Sequence, residues 1–208
     1  MIKLSVVIIT FNEEKNIERC LKSVLDIAEE IVVLDSFSVD KTEEICKSFN
    51  VNFHQREFEN FAKQKNNAVS LASNDLVLSL DADEVVSHEL QASIASLDLS
   101  QENRAYSFNR LNNYCGTFIR HAGWYPDRKV RLFRNNQAKW EGEHVHEKLK
   151  LNQGVQIVEL AGNLLHYSYN SKEEHIERER KYASLAAAQK PQNNLFLAYL
   201  SYMSKFVR

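Results

Sequence analysis

Glycine is scarce: there are five in 208 residues, and none falls into GxGxxG or GxxxxGK[ST]. Those turns bring backbone amides against phosphate at a helix N-terminus, so their absence excludes the glycine-loop nucleotide binders and calls for another phosphate device. Cysteine is equally sparse. Cys20, Cys46 and Cys115 are odd in number, far apart and without a CxxC pair, which predicts reduced thiols in a cytosolic setting and neither a disulfide framework nor a zinc site. Cys20 and Cys46 read as small hydrophobes within helices. No run reaches eighteen apolar residues, and the apolar part of "MIKLSVVIIT" is too short for a signal h-region with a cleavage site; the expectation is a chain neither exported nor threaded through a membrane. One-sided charge is missing too. With 26 Lys and Arg against 28 Asp and Glu, nothing global attracts nucleic acid.

What is present suffices for one domain: 44% of residues are hydrophobic, enough for a core at this length. Residues 4–10 (LSVVIIT), 31–35 (IVVLD), 51–55 (VNFHQ) and 76–81 (LVLSLD) are short β-rich runs, and the intervals between them have helical spacing. In the first interval Asn12 is the expected N-cap, with Glu13 and Glu14 in the first turn and Ile17, Cys20, Leu21, Val24 and Leu25 on one face. In the second, Asp40 and Glu43 have capping-box spacing. A βαβα order with near-continuous apolar strands predicts a mostly parallel α/β sheet with helices on both faces, whose ligands gather at the carboxyl ends of the strands. After a helix near 87–97 the character changes. "RAYSFNRLNNYC", "GTFIRH", "KVRLFR", "VQIVEL" and "NLLHYSY" read as shorter strands. The expected layout is a domain over 1–190, with a nucleotide-binding half (1–97) and an acceptor half (98–190), containing a charged helix over 172–189. A C-terminal amphipathic helical tail over 191–208, "LFLAYLSYMSKFV" with Lys205 and Arg208, is suited to a membrane surface or to packing on the domain. The chain stops inside that pattern, which predicts a longer natural protein.

"LVLSLDADEVV" ends an apolar strand in Asp81, Asp83 and Glu84. Aspartates at a strand end can hold a hard divalent cation, Mg²⁺ or Mn²⁺, that neutralises a diphosphate; the alternative is that they cap the helix near Ser87 and face water. Asp35, ending an adjacent strand, would face the same crevice.

"LSVVIITFNEEKNIERCLKSV", "EIVVLDSFSVDKTEEI", "FAKQKNNAV" and "LSLDADE" resemble, in order, the motifs of family 2 glycosyltransferases with the Rossmann-like GT-A fold. "RLFRNNQAKWEGEHVHEKL" and "LLHYSY" are similar to the bacterial lipopolysaccharide inner-core β-1,4-glucosyltransferases. The resemblance spans nearly the whole chain. It implies an inverting transfer of a hexose, glucose, from a UDP-sugar to a lipid-linked saccharide such as a core heptose, in the cytoplasm and peripherally on the inner membrane. It assigns the nucleotide to Thr10, Asn12, Glu14 and Asp35, with Lys63 and Gln64 nearby; the last two otherwise read as a solvated helix face. Asp81 would face the ribose or metal shell, Asp83 would bind the cation, and Glu84 would begin the next helix.

His166 is either a core histidine or a second metal ligand beside Asp83. Arg131 and Arg134 read as sharing a strand face and reaching a diphosphate, or as an ordinary exposed face. Inverting transfer needs a base for the acceptor hydroxyl. "WEGEHVHEKL" holds three acids of the right type, Glu141, Glu143 and Glu147; the resemblance implies Glu147, with Glu143 as the substitute, and Asp127 in "WYPDRK" is a further candidate. The HxHE run lacks HExxH spacing, so zinc is disfavoured. Trp124 and Tyr125 suit sugar stacking or core packing. Two other classes remain open: a DxD phosphatase or phosphotransferase, whose motif belongs on a first strand, and a non-catalytic nucleotide-sugar binding module.

Overall fold

Seven consecutive buried residues, Leu4–Thr10, form the first strand, β1. In the computed structural model, which describes residues 2–142, 147–169, 171–173, 175–177 and 180, there follow α1 (Ile17–Lys22), β2 (Glu30–Asp35), α2 (Thr42–Lys47), β3 (Asn52–Gln55) and α3 (Phe61–Ser70). Then come β4 (Leu76–Asp81), β5 (Glu84–Val86), α4 (His88–Ala95), β6 (Arg104–Tyr114), β7 (Thr117–Phe118) and β8 (Arg128–Arg134). A 3₁₀ turn leads to β9 (Ala138–Glu141), β10 (Lys148–Leu151) and β11 (Gln156–Tyr169).

The main sheet runs β3-β2-β1-β4-β8-β6-β11-β5, with β7 on β6. Its first four strands are parallel; β1, β2 and β4 are the near-continuous apolar runs that a doubly covered sheet buries, while the edge strand β3, NFHQ, is polar and largely exposed. Side chains alternate across β1. Leu4, Val6 and Ile8 meet Ile17, Cys20 and Leu21 of α1 and Leu90 and Ile94 of α4 on one face, while Val7 and Ile9 meet Val32, Leu34, Ala68 and Val69 on the other. Burying each such aliphatic side chain is worth about 1.5–3 kcal/mol, so both helical layers are bound to the sheet. The second half is mixed: β8 is antiparallel to β4 and β6, β11 is parallel to β6, and β5 is antiparallel to β11.

Several local expectations are corrected. The first helix starts at Ile17, not after Asn12; Asn12 adopts φ 54° and accepts from Val39 N at 2.9 Å, a left-handed turn that asparagine tolerates. Asp40 does accept from Thr42 N at 3.0 Å, but Glu43 pairs with Lys47 instead of closing the capping box. Glu84 starts a short strand, and Ser87 caps α4 by accepting from Leu90 N. "GTFIRH" yields only two strand residues, whereas "VQIVEL" and "NLLHYSY" merge into β11 across an irregularity between Glu159 and Asn163. There Gly162 has φ 95°, and a Cβ would collide with the Leu90 backbone; only glycine lets α4 pack so closely. The expected tail over 191–208 lies outside the described residues, as does most of the charged helix over 172–189.

Candidate active site

Parallel register aligns Thr10 with Asp35 and Ile9 with Asp81, so three strand ends open on one edge. At that edge Asp35 is fully buried and accepts from Ser38 N at 2.8 Å and Gln55 Nε2 at 3.2 Å. Asn12 and Glu14 brace the same loop, Asn12 N donating to Ser38 Oγ at 2.8 Å and Lys41 N donating to the Glu14 carboxylate at 3.2 Å. Gln64 is buried and donates to Ser36 Oγ at 3.1 Å, yet its Oε1, like Thr10 Oγ1, has no partner among the described residues. Two buried orphans at a strand end are costly unless a ligand completes them. Lys63 is elsewhere: it is exposed and pairs with Glu59.

The buried lysine is its neighbour, Lys65. Its ammonium lies 3.0 Å from Asp81 and 2.8 Å from Glu147, with 1% of its side chain exposed. Arg131 bonds Asp81 at 3.0 Å and Glu84 at 3.1 Å. Both cations lie over the Trp140 indole, at 4.7 and 5.2 Å from its centroid, which adds a cation–π attraction in a dry setting. Glu84, wholly buried, also accepts from Asp81 N at 3.0 Å. Burial alone would raise the Asp81 pKa, but the Lys65 ammonium and Arg131 guanidinium outweigh it and hold the carboxyl well below the usual carboxylate range. Asp81 is therefore a permanent anion. Behind it Cys20 is raised by burial and by Glu84, Asp83 and Asp81, and Cys46 is pushed up to about 12, chiefly by burial, so neither supplies a thiolate.

Asp83 faces His166 at 3.2 Å. In register, His166 sits opposite Glu84 on β5 and Asn112 on β6, and its Nδ1 lies 2.6 Å from Asn112 Oδ1. An amide oxygen only accepts, so Nδ1 carries a proton and Nε2 is the atom turned to the carboxylate. An oxygen and an imidazole nitrogen so opposed fit two positions of a divalent cation whose remaining positions go to phosphate oxygens and water. Among the described residues no cluster of three or more such side chains occurs.

Arg134 does not join this group. Residues three apart on a strand point to opposite faces, and Arg134, paired with Asp75 at 2.6 Å, sits beside Leu76, roughly 17 Å of strand from Asp81. Trp124 packs edge-on against Tyr114, and the Tyr125 hydroxyl lies 3.1 Å from Asn163 Oδ1. Asp127 is neutralised by Arg110 at 2.9 Å and Lys129 at 2.8 Å. Glu143 lies outside the described residues.

Lys65, Asn112 and Trp140 escape a motif-led reading, and Glu84, read as opening the next helix, lies buried in β5 instead. Lys65 alone left a sequence signal: it shares the helical stripe of Ala62, Ala68 and Val69, whereas Lys63 is off it.

A glycosyl transferase family 2 model matches residues 5–156. An uncharacterized glycosyltransferase of Rickettsia typhi is 31% identical over 194 residues, covering 88% of this chain and 66% of that protein. Glycosyltransferase SunS of Bacillus phage SPbeta is 30% identical, over 84% of this chain and 42% of SunS. The lipopolysaccharide core biosynthesis glycosyltransferase LpsC of Rhizobium meliloti is 29% identical, over 89% of this chain and 71% of LpsC. S. aureus TarS 1-349 in complex with UDP superposes with a TM-score of 0.55 at 19% identity, over 86% of this chain and 64% of TarS 1-349, which matches the GT-A fold expected from the motifs. By the span of the family match, on a fold and strand-end acid cluster that agree with it, the chain belongs to glycosyl transferase family 2.

Proposed function

We propose that the chain is an inverting transferase that moves glucose from UDP-glucose to a saccharide hydroxyl of a lipopolysaccharide core, with Glu147 as base. The observation that carries this reading is the meeting of two carboxylates at one ammonium: Asp81 from the donor-side strand and Glu147 from the loop before β10, both on Lys65. One acid faces the nucleotide edge, and the other comes from the opposite half of the domain.

The transfer forms a bond between the acceptor oxygen and the anomeric carbon while the bond from that carbon to the diphosphate oxygen breaks. The hydroxyl proton passes to Glu147, and UDP leaves with the electron pair. Lys65 and Arg131 supply fixed positive charge beside the leaving group, worth most where water is excluded. Thr10 and Gln64 offer their orphan oxygens to donors on the base or ribose, and Asp35 shapes their loop. Asp83 and His166 would hold Mg²⁺ or Mn²⁺, which when bound neutralises diphosphate charge. Trp124 and Tyr125 border the acceptor. The LpsC similarity supports a lipopolysaccharide acceptor, and the amphipathic sequence over 191–208 supports a peripheral position on the cytoplasmic face of the inner membrane. Among the described residues no helix is long and apolar enough to cross a membrane.

Release of UDP from UDP-glucose, with water as the slow acceptor, tests the reading. A transferase turns over to UDP and free glucose with Mn²⁺ present; phosphoryl chemistry would instead split the diphosphate into UMP and glucose 1-phosphate, and a binding module releases nothing.

A further inference from the structure

The strands that lead into and out of Glu147, β9 and β10, form a two-stranded sheet of their own. Ala138, Leu149 and Leu151 seat this pair on the core of the main sheet, but apolar packing is non-directional, and proton transfer requires the base carboxylate fixed to the ångström. The neighbour of Lys65 does this. Asn66 Nδ2 donates to the Trp140 carbonyl at 2.8 Å, and Trp140 N donates to Asn66 Oδ1 at 3.0 Å. One side-chain amide thus pairs with both backbone groups of a β9 residue, as a neighbouring strand would. Trp140 in turn pairs with Leu149 of β10, two residues beyond Glu147. Lys65 grips Glu147 itself at 2.8 Å. Two consecutive residues of α3 therefore hold the base segment at both ends, and α3 is packed through Ala68 and Val69 on the strands that carry Asp35 and Asp81.

We propose that Asn66 is a positioning residue for the transfer: its double bond to the Trp140 backbone sets Glu147 against the donor edge. This rests on Glu147 being the base. Asn66 is given no part in holding UDP, so it separates turnover from donor binding.

The test uses the full chain, UDP-glucose and Mn²⁺. Asn66→Ala should lower kcat for UDP release about tenfold to a hundredfold, with UDP affinity within about twofold of the parent. Asn66→Asp, which still accepts from Trp140 N but no longer donates, should fall between the two. Amide exchange across 138–141 and 148–151 should quicken in Asn66→Ala while residues 76–81 keep the parental rate, a readout independent of activity and of the donor. In a Glu147→Gln background, Asn66→Ala should add little, since both act through one carboxylate. A parallel loss of kcat and UDP affinity, full activity of Asn66→Ala beside a dead Glu147→Gln, or unchanged exchange over 138–141 and 148–151 would each overturn the proposal. If Asn66→Ala does not fold, the same criteria apply to Asn66→Asp. Full activity of Glu147→Gln is the separate result that overturns the base assignment.

Discussion

Lys65 and Glu147 stand 82 residues apart in the chain and 2.8 Å apart in space. A lysine with 1% of its side chain exposed is stable there only because two carboxylates compensate its charge. Lys65→Met should therefore destabilise the fold by about 3–5 kcal/mol, the range for removing one partner of a buried pair. Lys63→Met, on the exposed face of the same helix, should change stability by less than about 0.5 kcal/mol. Urea unfolding of both variants checks the contrast.

Glu147→Gln keeps the shape of the side chain but cannot take a proton. Turnover should fall roughly a hundredfold to ten-thousandfold with UDP affinity nearly intact, as read by UDP release alongside equilibrium binding. Loss of binding in step with turnover would make Glu147 a structural residue.

Gly162→Ala tests the contact between β11 and α4. The added Cβ meets the Leu90 backbone, and φ 95° is strained for any side chain. Overpacking and strain together predict a loss of about 3 kcal/mol or more, seen as a lower urea midpoint. Because Asn163 N donates to Ser87 Oγ beside the clash, the α4 cap should fray with it.

Most of the strand-end edge was legible in the sequence because strands of a parallel sheet announce themselves by unbroken apolar runs, and Asp35 and Asp81 end two of them. The acid cluster behind it was not. Glu84 is buried because Arg131 and the Asp81 amide await it, and those partners come from elements that only the fold brings together. Lys63 drew attention as part of a motif while Lys65 does the burying; one residue along a helix is about 100° of rotation. The shared face read for Arg131 and Arg134 went astray for the matching reason on a strand, where an odd separation changes face; it is Arg134 that leaves the cluster.

Asp40 gives a pH signature away from the site. Burial pulls its pKa up, but hydrogen bonds from Thr42 and from Glu14 N prevail and lower it. A depressed carboxyl stabilises the fold above its unfolded value of about 4 and loses that stabilisation as pH falls through the lower folded value. Asp40→Asn should thus be less stable than the parent at pH 7, and the gap to the parent should narrow as pH falls below about 4. A gap that stays constant from pH 7 to 3 would show that the charge of Asp40 is irrelevant.

In the proposed site a cation shared by Asp83 and His166, which face each other at 3.2 Å, carries the nucleotide sugar at the strand-end acids. Titration calorimetry of UDP-glucose into the parent and into Asp83→Asn, each with and without Mn²⁺, reads this directly. Mn²⁺ should tighten binding to the parent at least about tenfold, Asp83→Asn should lose this increment, and its metal-free affinity should match the parent's. Equal affinity of the parent with and without Mn²⁺, or an equal loss in both conditions on Asp83→Asn, would contradict it.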